Sequence, residues 1–514
     1  MKSLATISYF LIFSFIFLSL SCSAQLHDYN WVFGIFTFPD EPNANGNIIN
    51  FSGDTVSIEV YQKDKRIDFY NATYSDAAGE LKFWSNGCEL YNPDSEILEN
   101  GDSLNEGLVY DFFCDDQFTG TYVSAYQSMI CLPDLQDEQT VYVFHKWEPW
   151  DLLNDFHRLY YSVVDFSNND EGVVLQKNIE LPGNTSSGLI SATKDHEFDA
   201  WWIITPEKWG TGHYVYKMES DSISLPTYFG DGAILTDNNQ GSSSSSFSPD
   251  GTRYAIFGEA DGLRLYDFDN SSGTLSNYQF ISAPQDFVGG HAGLAFSGSG
   301  RYLYLSHFRK IYQYDMEAND IGASRLTVAD WEENFENGIP TPFFQMQRGP
   351  DCRIYVNAQN GTKIMHVIHH PERRGVACEV QQNIDIPAFN FGSMLNFPNY
   401  RLGTGPVCDS TKVFPPGLLT AVEEAAMELE KEFLHVYVYP NPTSGDLSIE
   451  LDQNLGPNTS FVLYNLQGQE QYRRSILGDV GTEQIRLPQL ASGMYIYAIL
   501  QAGSVVTSEK LVVE

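Results

Sequence analysis

Three histidines in the sequence are close enough to invite metal chemistry: His366-x-x-His369-His370. Neutral imidazole suits zinc or copper, but such a site needs three or four ligands, and spacing alone names no further one. Pro371 follows at once, so a strand end running into a turn is the simpler expectation. Asp267-x-Asp269-Asn270 crowds oxygen ligands as a calcium loop does, yet Ser272 and Tyr278 stand where the EF-hand pattern needs its glycine and its bidentate glutamate. Loop capping at a strand end is the expected role, and no cofactor is expected, calcium being the weaker alternative. Asp111, Asp115 and Asp116 beside Cys114 are expected to be a solvated loop, since paired carboxylates serve glycoside hydrolysis only at the right separation.

Exposed tryptophans are the other candidates. Trp147-Glu-Pro-Trp150 is expected in an insertion after a hairpin, and Trp209 beside Gly210 in a loop. Such rings stack on sugars or anchor a partner, or else they pack into the core. Trp201 and Trp202 lie within an apolar run and are expected in the core. The sequence holds no GxSxG elbow, no HExxH and no phosphate-binding loop, so no catalytic residue is assigned.

A recurring hairpin must position these residues. Phe247-Ser-Pro-Asp-Gly-Thr-Arg-Tyr-Ala-Ile-Phe257 reads as strand, tight turn, strand. Turn centres fall near Gly79, Gln139, Asp199, Gly251, Gly300 and Cys352, at intervals of 60, 60, 52, 49 and 52. A second marker keeps the same phase: Val164-Asp165-Phe166, Tyr216-Lys217-Met218, Tyr266-Asp267-Phe268 and Tyr314-Asp315-Met316 are 52, 50 and 48 apart. The strands are apolar at consecutive positions, as in Val141-Tyr-Val-Phe144 and Trp201-Trp-Ile-Ile204. Successive strand side chains point to opposite faces, so both faces must be buried. These features predict an all-β fold built on a WD40-like repeat, a β-propeller over 25–402. Seven blades are expected, closed by the N-terminal strand, with six as the alternative. Ser242 to Ser246 reads as a polar loop leading into a strand.

Residues 1–24 read as a signal peptide, with Lys2, an apolar stretch from Tyr9 to Leu20, and small residues before Gln25. An alternative uses Cys22 as a lipid anchor. No other stretch is apolar and long enough for a transmembrane helix. Residues 403–433 read as a linker rich in glycine and proline, with a short helix over Ala421 to Phe433. Residues 434–514 read as a small immunoglobulin-like β-sandwich. Six cysteines follow the leader: Cys88, Cys114, Cys131, Cys352, Cys378 and Cys408. Their clustering favours one disulfide within each trio and one between trios. The formal charge is −38, from 29 basic and 67 acidic residues. So acidic a surface argues against nucleic acid and anionic lipid as partners.

The tail resembles the type A C-terminal sorting domain of the type IX secretion system of Bacteroidota. Tyr439-Pro440-Asn441-Pro442-Thr-Ser-Gly445, Gly468, Gly493-Met-Tyr495 and Glu509-Lys510-Leu-Val-Val carry the resemblance. It implies recognition by the type IX machinery, passage through the periplasm, and secretion or display on the outer cell surface. Residues 30–400 are similar to propeller-like regions of large exported proteins of the same bacteria, on Trp31-Val-Phe-Gly34, Gly79-Glu-Leu-Lys-Phe83, Tyr160-Tyr-Ser-Val-Val-Asp165, Phe247-Ser-Pro-Asp-Gly251, Tyr312-Gln-Tyr-Asp315 and Ala377-Cys378. His369-His370-Pro371 departs from the Asn-Asn-Pro turn usual there. The expected function is a binding or interaction module for an extracellular glycan or protein. The alternative is an extracellular propeller hydrolase or lyase acting on polysaccharide.

Overall fold

The computed structural model describes residues 25–34, 45–62, 65–114, 120–122, 125–149, 156–230, 243–258, 262–284, 292–390, 392–415, 436–451, 455–456, 458–465, 469–478, 481–501 and 504–513. The signal-peptide and lipid-anchor readings at 1–24, Trp150, Asp115, Asp116 and the helix over 421–433 lie outside these residues. The chain divides into two units, Met1–Leu418 and Leu419–Glu514.

Among the described residues, the first unit holds seven main antiparallel sheets in chain order. Sheet 1 contains Asn30–Phe33, Asn45–Asn50 and Ser57–Gln62; sheet 2 contains Ala72–Ser75, Leu81–Ser85 and Leu90–Tyr91. Sheet 3 runs Met129–Pro133, Thr140–Trp147, Arg158–Asp165, Val173–Leu181. Sheet 4 runs Ser191–Lys194, Trp201–Pro206, Gly212–Glu219, with Ser222–Ile223 and Thr227–Gly230 both on the third strand. Sheet 5 has Ser244–Phe247, Arg253–Gly258, Gly262–Asp269 and Thr274–Ile281; sheet 6 has Ala292–Phe296, Tyr302–His307, Lys310–Asp315 and Leu326–Asp330. Sheet 7 has Phe343–Arg348, Ile354–Ala358, Thr362–Ile368 and Val380–Asn390.

The six predicted turns are the first hairpins of sheets 2 to 7. Each is closed by a backbone bond from the residue after the first strand back across the turn, for example Asp195 N to Ala200 O and Ser248 N to Arg253 O, both 2.9 Å. Gly251 takes φ +69°, which a side chain would strain. The second marker ends the third strand of sheets 3 to 6, as predicted. The consecutive apolar runs are buried on both faces: Trp201–Pro206 is buried throughout.

In sheet 1 the first two strands, Asn30–Phe33 and Asn45–Asn50, are separated by residues 35–44, which lie outside the described residues. Its three strands come from the N-terminal region, so that region supplies a sheet rather than the single closing strand expected. First strands of successive sheets lie side by side, as Ala72–Ser75 does with Met129–Pro133 and Ser244–Phe247 with Ala292–Phe296. Sheets 3 and 4 meet where Ile190 N donates to Gln127 O at 2.9 Å. The last sheet returns to the first: the Asn47 side chain donates to Ala388 O at 3.0 Å and accepts from Ala388 N at 2.9 Å.

First strands crowd together, and their composition follows. Ser244–Ser246, expected as loop, belong to a strand, where Ser245 Oγ lies 2.9 Å from Ser191 Oγ of the neighbouring first strand and Ser245 N donates to Gln127 Oε1 at 2.8 Å. A Cβ on Gly293 would lie 2.5 Å from Met346 N. Disulfides join Cys88 to Cys114 and Cys352 to Cys408. The bond expected between trios is absent: Cys131 and Cys378 are free and buried, each packed in a different apolar cluster. Both behave there as small hydrophobes, and burial pushes the Cys378 thiol up to about 12.

The second unit is two sheets facing one core. Val436–Tyr439, Asp446–Leu451 and Gly481–Arg486 form one; Glu470–Ile476, Thr459–Tyr464, Gly493–Gln501 and Ser504–Val513 form the other. Leu447, Ile449, Phe461, Tyr497, Ile499 and Leu511 meet between them. Sequence reading missed Glu470–Ile476 and Gly481–Arg486, whose charged and polar residues hide the alternation.

Candidate functional site

In the tail, the first and last motifs are brought together. Asn441 donates its Nδ2 to Lys510 O at 2.8 Å and accepts from Val512 N at 2.9 Å through Oδ1. Thr443 N then donates to Val512 O at 2.8 Å. The Pro440–Gly445 turn is thereby stitched along the terminal strand, and Lys510 contributes through its backbone. Both Tyr439–Pro440 and Asn441–Pro442 are cis. Gly445 (φ +119°) offers its carbonyl to Leu487 N at 2.7 Å. Tyr495 sits in the core with its hydroxyl on Ala491 O at 2.9 Å, and Gly493 opens its strand. These motif residues fix one local geometry: turn, edge strand and core tyrosine.

In the first unit, residues 393–402 run past the first strands of several sheets. Asn396 donates to Met129 O and Ile190 O, at 3.1 and 2.8 Å. Tyr400 donates to Cys131 O at 2.6 Å, and Asn399 to Pro249 O at 2.7 Å. Phe397 packs on Trp31 and Tyr400. A void of about 40 Å³ remains beside this segment, lined among others by Gln127, Ser245, Gln347 and Arg348. Two contacts fix the exit: Arg401 binds both carboxylate oxygens of the N-terminal Asp28, at 2.6 and 2.8 Å, and Lys194 Nζ in sheet 4 donates to Leu402 O.

A second polar cluster lies between sheets 3 and 4. Glu148 Oε2 is 2.5 Å from His157 Nδ1, Ser187 Oγ is 3.3 Å from the same nitrogen, and Lys208 Nζ donates to Ser187 Oγ at 3.3 Å. The residue types are those of a nucleophile relay, but the geometry is not. A relay needs serine and acid on opposite ring nitrogens, and here both reach one. The Glu148 Oε1 atom is buried and has no hydrogen-bond partner among the described residues. Lys146 beside it is wholly buried and donates to Thr205 Oγ1 at 2.6 Å; burial pushes its pKa well below the ordinary lysine range, and the Glu148 charge opposes that shift. Sequence reading missed this cluster. Its signal is His145-Lys146 interrupting an apolar strand.

The predicted residues are scattered. Trp147 ends the strand Thr140–Trp147 rather than lying in an insertion, because the strand continues to pair with Arg158. Its Nε1 donates to Glu106 O at 3.0 Å, and the Arg158 guanidinium lies 5.1 Å from its ring, so packing holds it. Trp209 is 40% exposed in the turn after Trp201–Pro206, with Lys208 Nζ 5.1 Å from its ring. Lys146 and Trp147 are consecutive in the strand, so their side chains leave opposite faces of sheet 3.

The three histidines diverge. His366 is buried in the strand Thr362–Ile368, and burial lowers its pKa to about 3. His369 Nε2 meets Gln381 Oε1 at 2.8 Å, and His370 Nε2 lies 3.3 Å from Glu379. Asp269 caps its own loop, accepting from Ser271 N and the hydroxyls of Ser271 and Ser272. Asp267 accepts from Asn277 Nδ2 at 2.6 Å. Asp111 lies in a short helix, Leu108–Phe113, not a loop, because its Phe113 side packs on the core beside the Cys88–Cys114 bond. Among the described residues, no group of three or more His, Cys, Asp or Glu is placed to hold a metal.

Residues 437–514 match the family model described as a secretion system C-terminal sorting domain. The chain therefore carries a type IX export signal that engages the secretion machinery, for secretion or display at the cell surface. No curated protein matches the chain. Similar solved structures include a functionally unknown protein from Desulfotomaculum acetoxidans, at 10% identity and TM-score 0.33, covering 79% of this chain and 96% of that one. Another is Chaetomium thermophilum Sqt1 bound to the N-terminus of ribosomal protein L10, at 11% identity and TM-score 0.33, covering 74% and 87%. A third, of unknown function from Bacteroides thetaiotaomicron, has 10% identity and TM-score 0.32, covering 72% and 84%. No helix among the described residues is long and apolar enough to cross a membrane.

Proposed function

We propose that residues 25–402 form a seven-bladed β-propeller, delivered by the sorting domain at 434–514 after a signal peptide at 1–24 and joined to it by a linker at 403–433. The propeller works outside the cell as a binding module for a glycan or protein. The observation that carries this reading is the order of the sheets: seven follow one another along the chain, each touching the next, and the last touches the first. Sheet 1 then lacks an innermost strand of its own, and residues 393–402 take that place while filling the centre. A filled centre favours contact through loops and edges over chemistry in a channel. The glutamate, histidine and serine between sheets 3 and 4 do not make a relay, which weighs against the hydrolase or lyase reading.

The test is a glycan array of the mature chain, run beside an activity screen on the same sugars. Retention without turnover is expected; turnover without retention would reverse the order of the two readings. Residues 434–514 fused to a reporter should be exported only by a host with an intact type IX system.

A further inference from the structure

The side of the first unit between sheets 4 and 5 holds a cleft of about 380 Å³. Tyr228 and Phe229, from the outer strand Thr227–Gly230, line one wall. Asn277 and Tyr278, from Thr274–Ile281, line the other. The floor is His213 against Tyr266, ring centroids 5.2 Å apart. Tyr228 is 44% exposed and Tyr278 37%, unusual for rings set in regular strands.

We propose that this cleft is a binding site for a neutral saccharide, a reading that rests on the first unit being a binding module. Its volume lies within the range of small-molecule pockets. Tyrosine faces accept the C–H face of a sugar ring, while polar groups at their edges accept and donate to its hydroxyls. Those groups are in place. The Tyr228 hydroxyl donates to Glu207 Oε2 at 2.6 Å and lies 3.4 Å from Thr211 Oγ1. Asn277 donates Nδ2 to Asp267, which fixes the amide, and among the described residues its Oδ1 has no partner. The left-handed backbone at Asn277 (φ +50°) sits at the register shift between Leu265 and Asp267. Among the described residues no lysine or arginine lines the cleft, and two carboxylates, Glu207 and Asp267, stand at its margins, so an anionic sugar is disfavoured in a chain of formal charge −38.

The experiment is titration of the mature full-length chain with neutral gluco-, manno- and xylo-oligosaccharides, read by calorimetry and saturation-transfer NMR. Tyr228→Ala and Tyr278→Ala should each weaken binding about fivefold or more, with melting temperature unchanged. Tyr278→Phe should keep most of it, since stacking uses the ring. Trp209→Ala should leave it unchanged. Binding that survives both tyrosine substitutions, or that Trp209→Ala abolishes, overturns this site and leaves the binding-module reading standing. Failure of every neutral sugar to bind, with capture of acidic sugars or peptides instead, overturns the ligand class. Turnover of a bound sugar overturns the module reading, and tyrosine dependence of that turnover would keep the site.

Discussion

Asp28→Ala should be among the most damaging single changes in the first unit. Asp28 and Arg401 are both buried, at 3% and 7% exposure, and share two hydrogen bonds. Burial alone would lower the Arg401 pKa, yet the Asp28 carboxylate beside it holds it above its usual value. Removing one partner leaves an uncompensated guanidinium, which costs about 3–5 kcal/mol. Arg401 would keep its Nε bond to Val407 O at 2.8 Å, so the lower half of that range is expected. With unfolding entropy of about 2.1 cal/mol/K per residue over about 390 residues, the melting temperature should fall on the order of 4–5 °C. The double variant Asp28→Ala, Arg401→Met should recover part of the loss, because no buried charge then remains. Calorimetry of the two singles and the double checks this. A melting temperature within about 1 °C of wild type for Asp28→Ala would refute the idea that residue 28 and the 393–402 segment are locked together.

Other outcomes follow from single sites. Burial lifts the Asp68 carboxyl to about 7 although it accepts the Phe69 N–H. The folded chain therefore keeps a proton that the unfolded chain releases, and stability is lost as pH rises from about 4 to 7. Asp68→Asn keeps the acceptor and should raise the melting temperature more at pH 8 than at pH 4.5; an equal gain at both would sink the argument. His27, His145 and His366 are buried, which lowers them to about 4, 3 and 3. Folded chain then binds fewer protons than unfolded chain below about pH 6.5, so three histidines outweigh Asp68 and the denaturant midpoint should drop between pH 7 and pH 5. Mature protein unfolded without reductant should titrate two thiols, Cys131 and Cys378, whereas three disulfides would leave none. Asn441→Ala removes both side-chain bonds to the terminal strand, costing about 1–3 kcal/mol in a small unit, and should reduce export of a 434–514 reporter more than Lys510→Ala, which keeps its backbone carbonyl.

What the sequence disclosed depended on how local the cause was. A tight turn is specified by four or five adjacent residues, so Asp195–Ala200 and Ser248–Arg253 could be read directly. Runs such as Trp201–Ile204 announced burial on both faces by composition alone. Sheet 1 escaped, because part of its packing comes from residues 393–402, as where Phe397 meets Trp31, and nothing near Asn30 encodes that. The serines of Ser244–Phe247 misled for a related reason: small side chains read as loop, yet crowding between first strands selects for smallness. Cys131 and Cys378 were counted into a bond because parity is a property of the chain, while pairing requires Cα atoms within about 7 Å. The candidate cleft was least legible of all. Tyr228 and Tyr278 belong to different sheets, and each looks like an ordinary strand aromatic; only the approach of two outer strands, fixed by inner strands far away in sequence, turns them toward one space. A surface of that kind can change its ligand by single substitutions without disturbing the repeat, which is why the repeat is readable and the ligand is not.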